Sequence, residues 1–369
     1  MAAPTPAALT AALDSFVDPN LRQALGEARA VAAVLPPAPG GSEARWTVRL
    51  RLGIPVGGYA AELAPALEAH LAAQGLPVAL TLELVSDIAT HAVQRGLTAL
   101  AGIRNIVAVA SGKGGVGKST VAANLALAWA AQGARVGLLD ADIYGPSLPI
   151  MLGLTDSRPS SPDGKRITPL RAHGIVGMSI GFLVDVEQPM VWRGPMVTSA
   201  LNQLLADTSW GELDYLVVDM PPGTGDIQLT LSQRVPVAGA IIVTTPQDLA
   251  LADARKGLRM FEKVNIPVLG IVENMSIHRC SNCGHEEHVF GAGGGARMAE
   301  QYGTQLLAEL PLDARIRAET DSGRPTVVAE PDSPRAQAYL RMARRAAGEL
   351  ARRGRDRSTV FPKIVVEES

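Results

Sequence analysis

Ser111-Gly112-Lys113-Gly114-Gly115-Val116-Gly117-Lys118-Ser119-Thr120 is the stretch from which the fold is read. An apolar run at residues 106–110 leads into it, and an apolar, Ala-rich helical pattern at residues 121–131 leads out. Strand, glycine-rich turn and helix in that order form the setting of a phosphate-binding loop. Glycines let successive backbone N–H groups converge on phosphate oxygens without Cβ clashes, and the helix N-terminus adds the positive end of its dipole. Gly112, Gly117, Lys118 and Ser119 fit the spacing Gly-x-x-x-x-Gly-Lys-Ser/Thr. The expected ligand is ATP, cradled by Gly112, Lys113, Gly114, Gly115, Val116, Gly117, Lys118, Ser119 and Thr120. Lys118 is expected at the β- and γ-phosphates and the Ser119 hydroxyl at Mg²⁺.

Two acidic strand ends follow. Residues 135–139 read as a strand running into Asp140-Ala141-Asp142, and Tyr215-Leu216-Val217-Val218-Asp219 is four apolar residues closed by an acid. Carboxylates at the C-terminal ends of parallel strands face the phosphate crevice of a doubly wound sheet. Asp219 is expected to hold Mg²⁺ through water. Pro221-Pro222-Gly223-Thr224-Gly225-Asp226 comes next, and a glycine there can offer its N–H to the γ-phosphate, which assigns Gly223. Further strands are expected over residues 174–183, 240–245, 268–273 and 306–311, with helices over 249–264 and 336–350. Asn274 follows one of these strands, where a side-chain amide can pair with the adenine edge.

The metal chemistry centres on Cys280-Ser281-Asn282-Cys283, with His278, His285 and His288 beside it. Two thiolates are too few for a tetrahedral zinc site or a four-iron cluster. Three completions are open. Two chains can each donate Cys280 and Cys283 to a [4Fe-4S] cluster on a two-fold axis. One chain can bind zinc with both cysteines and two of the histidines. The pair can also be a redox dithiol, although the thioredoxin type opens a helix and this one lies in a polar loop.

The second lysine, Lys113, makes the loop similar to the deviant P-loop of the MinD/ParA/nitrogenase-iron-protein ATPases. The segment from Glu273-Asn274-Met275 through the cysteine pair to Phe290-Gly291, together with the P-loop and the stretches after Asp140 and Asp219, resembles the Mrp/ApbC family of iron-sulfur cluster carriers. The resemblance covers residues 103–345. It implies ATP hydrolysis in a homodimer, with Lys113 crossing to the partner's nucleotide, Asp142 orienting the attacking water and Asp140 assisting at the metal. It further implies an asparagine, here Asn274, reading adenine, a cluster on Cys280 and Cys283, and transfer of that cluster to recipient apoproteins. Trp192-Arg193-Gly194-Pro195 is similar to a segment of the family; core packing of Trp192 is the alternative.

The expected fold class is α/β: a doubly wound, mostly parallel P-loop sheet over residues 103–350, preceded by a small α+β domain over residues 1–90 and a helical linker over 91–102. The first domain is read from a helix at residues 6–17, alternating strands at 45–52 and 78–85 and an amphipathic helix at 59–73. It resembles the small iron-sulfur-assembly domain that often precedes this ATPase, but the cysteine sometimes found there is absent, so no metal chemistry is assigned to it. Residues 351–369 are expected to be a disordered tail. A net charge of −2 and a pI near 6.3 give no sign of a nucleic-acid partner. With no long apolar run, no basic leader and two cysteines too close together for a disulfide framework, the chain is expected to be cytoplasmic and free of membranes. A ParA/MinD-like organiser on DNA or membrane and a zinc-stabilised ATPase without cluster transfer remain the competing readings.

Overall fold

The computed structural model describes residues 4–37, 45–94, 96–183, 194–280 and 282–354. Trp192, Arg193 and the expected disordered tail beyond residue 354 therefore lie outside the described residues.

The N-terminal unit contains α1 (Pro6–Asp14), a short antiparallel pair β1 (Val17–Asp18) and β2 (Gln23–Ala24), β3 (Val31–Leu35), β4 (Arg45–Leu52), α2 (Ala60–Ala73) and β5 (Ala79–Ser86). β4 alternates exposed and buried positions along its length, as its sequence pattern requires. α2 is the crossover that lets β5 lie parallel to β4, with Arg45 opposite Ala79 and Leu52 opposite Ser86. β3 pairs antiparallel on the other side.

Among the described residues no helix joins the two units, which corrects the helical linker expected over residues 91–102. Beyond β5, the chain over residues 87–102 is irregular where it is described. Several of its polar groups are taken by distant partners. Asp87 N donates to the Leu52 carbonyl at 2.7 Å, and His91 N donates to Asn105 Oδ1 at 3.1 Å. Gln94 Nε2 donates to the carbonyls of Ser232 and Val235 at 2.8 and 3.1 Å, while its Oε1 accepts from Val237 N at 3.0 Å. Tertiary hydrogen bonds outcompete the local pattern here.

The second unit runs β6 (Ile103–Ser111), α3 (Lys118–Ala131), β7 (Val136–Asp140), α4 (Leu148–Met151), β8 (Leu170–Ala172), β9 (Ile175–Ser179), α5 (Gly194–Asp207), β10 (Leu213–Asp219), α6 (Asp226–Arg234), β11 (Gly239–Thr244), α7 (Asp248–Lys263) and β12 (Val268–Glu273). A hairpin of β13 (His278–Arg279) and β14 (Glu286–Glu287) follows, then α8 (Gly294–Gln301), β15 (Leu306–Glu309), α9 (Ala314–Asp321), α10 (Thr326–Ala329) and α11 (Pro334–Ala351). The eight-stranded sheet has the order β15-β12-β11-β6-β10-β7-β9-β8 and is parallel apart from β8. β9 is shorter than the strand expected from sequence, because Ser179 Oγ accepts from Gly181 N and turns the chain into a 3-10 turn over Ile180–Phe182.

β6 is flanked by two strands that come later in the chain, β10 and β11. The connections diverge at its C-terminal end, which is where a doubly wound sheet opens its crevice. α3 is buried almost all round, between the sheet and α11. Trp129 stacks on Tyr215 of β10 with ring centroids 4.2 Å apart, and its indole N–H donates to the Ala343 carbonyl of α11 at 2.8 Å. The N-terminal unit touches the far end of α3, where Gly57 N donates to the Gln132 carbonyl at 2.9 Å. At about 1.5 Å per residue, that contact is roughly 20 Å along the helix from the P-loop. Arg344 of α11 secures the same junction, lying 4.8 Å from the Tyr59 ring centre and bonding Glu62 at 2.7 Å. The first domain thus sits at the pole opposite the crevice.

Candidate functional site

The P-loop is held open by backbone geometry that only glycine satisfies. A Cβ on Gly112 would lie 2.2 Å from the backbone of Asp253 on α7, so α7 packs directly against the loop. Gly117 caps α3 at φ +82°, and a Cβ there would lie 2.2 Å from Asn274 Nδ2. The other motif residues lie between these two points, and Ser111 Oγ donates to the Lys113 carbonyl at 2.9 Å across the turn.

Lys118 is buried, with its Nζ 2.5 Å from Asp219 Oδ1 and 3.2 Å from Ser119 Oγ. Strand pairing sets Asp140 level with Asp219, one on each of two adjacent strands. Asp140, Asp142, Asp219, Lys118 and Ser119 are thereby brought to one place, as their spacing along the chain suggested. Three carboxylates gather around one buried ammonium. Such a set of hard oxygens suits Mg²⁺, with Ser119 and Asp219 the residues to hold it. Lys113 is half-buried, and its ammonium has no polar partner among the described residues.

Asp140, expected at the metal, also organises the loop that follows it. Its carboxylate accepts from the backbone N–H groups of Asp142, Ser147 and Leu148 at 3.0–3.1 Å and from the Ser179 hydroxyl at 3.1 Å. Four donors fill its oxygens, so Asp140 shapes the loop that carries Asp142. Ser179 carried no sequence signal, because a lone serine at a strand end looks like any other. Asp142 is half-exposed and accepts from the N–H groups of Gly145 and Tyr144. Burial raises its pKa, which the nearby Lys118 ammonium partly offsets. Gly223 donates its N–H to the Ser111 carbonyl at 3.1 Å, so a phosphate would have to compete with the P-loop for that donor.

Burial, with the Asp219 charge second, pushes Asp140 up to about 7. The folded protein therefore keeps a proton that the unfolded chain releases at about pH 4. The resulting penalty is absent below that pH, grows as pH rises and is complete above about 7. Asp140→Asn is expected to lose stability by a constant offset from its altered hydrogen bonds, yet to show a shallower fall in melting temperature between these pH values. Parallel melting curves for the two proteins across the window would overturn this assignment.

Asn274 lies just beyond β12, and its Nδ2 donates to the Val116 carbonyl at 2.9 Å. One N–H of that nitrogen supports the P-loop, and the second N–H and the side-chain oxygen remain for a base edge. Glu273, next to it, is fully buried and binds Gly295 N at the start of α8 through Oε2. The glycine run at residues 293–295 was the available clue to this close approach.

Cys280 and Cys283 stand at the tip of the β13–β14 hairpin. Cys280 N donates to the His285 carbonyl at 2.8 Å and Gly284 N to the Cys280 carbonyl at 2.9 Å, closing the turn. Cys280 is half-buried and Cys283 exposed. The N–H groups of Cys283 and Asn282 hydrogen-bond the Cys280 sulfur and lower its pKa, favouring the thiolate that binds soft metals. The pair opens no helix, unlike a thioredoxin dithiol. Among the described residues, no three His, Cys, Asp or Glu side chains gather as a metal site. His278 and His288 each bond a backbone carbonyl through Nδ1, those of Leu312 and Ser276 respectively. Those bonds use Nδ1 alone, and the cysteine pair presents two sulfurs with room for further ligands. Among the described residues, no helix is long and apolar enough to cross a membrane.

Residues 102–347 match the family model described as ParA: NUBPL iron-transfer P-loop NTPase. An iron-sulfur cluster carrier protein of Pseudomonas fragi is 62% identical over 263 residues, spanning 71% of this chain and 92% of that protein. The mouse iron-sulfur cluster transfer protein NUBPL is 51% identical over 266 residues, spanning 71% of this chain and 83% of its own. A solved nucleotide-binding protein from Archaeoglobus fulgidus, in complex with ADP, is 40% identical with a TM-score of 0.55, covering 64% of this chain and 91% of that one.

Proposed function

The chain belongs to the NUBPL iron-transfer family of ParA-type P-loop NTPases, and on that premise we propose that it is an ATP-hydrolysing carrier of a [4Fe-4S] cluster. Two copies hold the cluster between their Cys280 and Cys283 pairs and pass it to recipient apoproteins. The observation that carries the reading is the hairpin. It offers two cysteine sulfurs, one of them held by backbone N–H groups that favour its thiolate, on the same β12 connection that supports the P-loop.

Hydrolysis in this site is performed by placed charge. The backbone N–H groups from Gly112 to Thr120 receive the phosphates. The Lys118 ammonium transfers from Asp219 to the β- and γ-phosphate oxygens. Asp142, held by two backbone N–H groups, accepts a hydrogen bond from the attacking water and orients it. Lys113, whose ammonium has no polar partner among the described residues, reaches the nucleotide of the second copy. Mg²⁺, when bound at Ser119 and Asp219, neutralises phosphate charge. Asn274 Oδ1 contacts the adenine.

Anaerobic reconstitution with iron and sulfide tests the reading directly. The expected product is a brown dimer holding half a cluster per chain. A colourless protein that retains zinc alone would reject the carrier reading in favour of a zinc-stabilised ATPase.

A further inference from the structure

The Asn274-Met275 turn lies between the nucleotide pocket and the thiolate hairpin and touches both. On the pocket side, the Asn274 amide grips the Val116 carbonyl, and a Cβ on Gly117 would come 3.8 Å from Met275 Cε. On the hairpin side, the Ser276 carbonyl accepts from His288 Nδ1 at 2.8 Å, one residue past β14. Because a carbonyl only accepts, that contact places the proton of His288 on Nδ1. Leu312 N donates to the Ile277 carbonyl at 2.8 Å, tying the other root of the hairpin.

Met275 has φ +58°, a left-handed conformation disfavoured for a residue with a Cβ. Such a residue persists only where its surroundings over-determine it. Here Asn274 N donates to the Thr244 carbonyl at 2.8 Å, and Ser276 uses both its N–H and its hydroxyl on the Leu310 carbonyl at 2.9 and 3.1 Å. The turn is clamped on both sides and strained between the clamps. Relaxing Met275 to negative φ would re-aim everything beyond it.

We propose that Asn274 and Met275 are positioning residues that pass the conformation of the P-loop to the Cys280–Cys283 hairpin, so that bound nucleotide alters the exposure of the two thiols. The inference rests on the carrier reading above but is tested on metal-free protein. Phosphates settling on the loop displace Val116, the Asn274 amide follows its acceptor, and the turn carries the motion through Ser276 and His288 to the hairpin base.

The measurement is the initial rate of iodoacetamide alkylation at Cys280 and Cys283, without nucleotide and with saturating Mg-ADP or a non-hydrolysable ATP analogue. Wild type is expected to change rate by about fivefold or more with nucleotide, the usual lower range of site-to-site coupling. His288→Ala, at an exposed position, is expected to keep wild-type nucleotide affinity and to lose most of that response. Asn274→Ala, assayed at saturation, is expected to lose it too. Met275→Gly, which removes the strain, is expected to give one alkylation rate with or without nucleotide. Wild-type thiols indifferent to nucleotide, or a His288→Ala protein with the full response, would overturn the hinge. Nucleotide-indifferent thiols in a protein that still takes up iron and sulfide would do so while leaving the carrier reading intact. If reconstitution fails, the carrier reading falls, and the alkylation rates still decide the hinge.

Discussion

Lys118→Ala is expected to lower ATP hydrolysis by about 10²–10³-fold, the cost of removing one placed donor from a site of developing negative charge. In the folded chain its ammonium is the counter-ion to Asp219, 2.5 Å away, with Asp140 buried beside them. Breaking a buried pair by removing one partner costs about 3–5 kcal/mol, so the variant is also expected to melt earlier. The two effects separate in the double variant Lys118→Met with Asp219→Asn. That protein removes both charges and is expected to recover stability without recovering hydrolysis. If delivery of the cluster depends on hydrolysis, Lys118→Ala should still accept iron and sulfide anaerobically but fail to hand them to an apoprotein. Delivery at the wild-type rate by this variant would break the link between nucleotide and transfer.

Cys280→Ser and Cys283→Ser are each expected to bring retained iron from half a cluster per chain to near zero. A serine hydroxyl is a hard, weakly acidic ligand, whereas iron-sulfur clusters are held by thiolates. The loss should be larger than the removal of one ligand in four suggests, because two-fold symmetry removes the equivalent ligand in the partner as well. Nucleotide affinity is expected to be unchanged, since the cysteines lie at the hairpin tip, outside the phosphate loop. A chain kept monomeric should lose iron in the same way. Iron and sulfide analysis of purified, reconstituted variants reads the result, and a full complement on a serine variant or a monomer would end the shared-cage reading.

Much of the site was legible in the primary structure, and for identifiable reasons. A phosphate loop needs its glycines, lysine and hydroxyl adjacent in the chain, so residues 112–120 declare themselves without tertiary information. Buried parallel strands read as unbroken apolar runs, and an acid closing such a run, as at Asp219, marks the crevice end. The thiolate pair is likewise local, separated by two residues in a tight turn.

What escaped the sequence was non-local. Residues 91–102 carry a pattern compatible with a helix, but Asn105, Ser232 and Val235 supply hydrogen-bond partners for it from farther along the chain. Asp140 was expected at the metal from the family resemblance, and only the fold shows that Ser147, Leu148 and Ser179 also converge on its carboxylate and make it the organiser of the loop. Asn274 was expected to read the base, and only the folded sheet shows that its amide also donates to the Val116 carbonyl.

The chain's order of residues alone thus determined the phosphate loop, the doubly wound class and the presence of two neighbouring thiols, because each depends on contacts within a few residues or on simple periodicity. Only the tertiary structure decided which polar atoms remain available, since a donor or acceptor is used up by whichever partner the fold brings within reach.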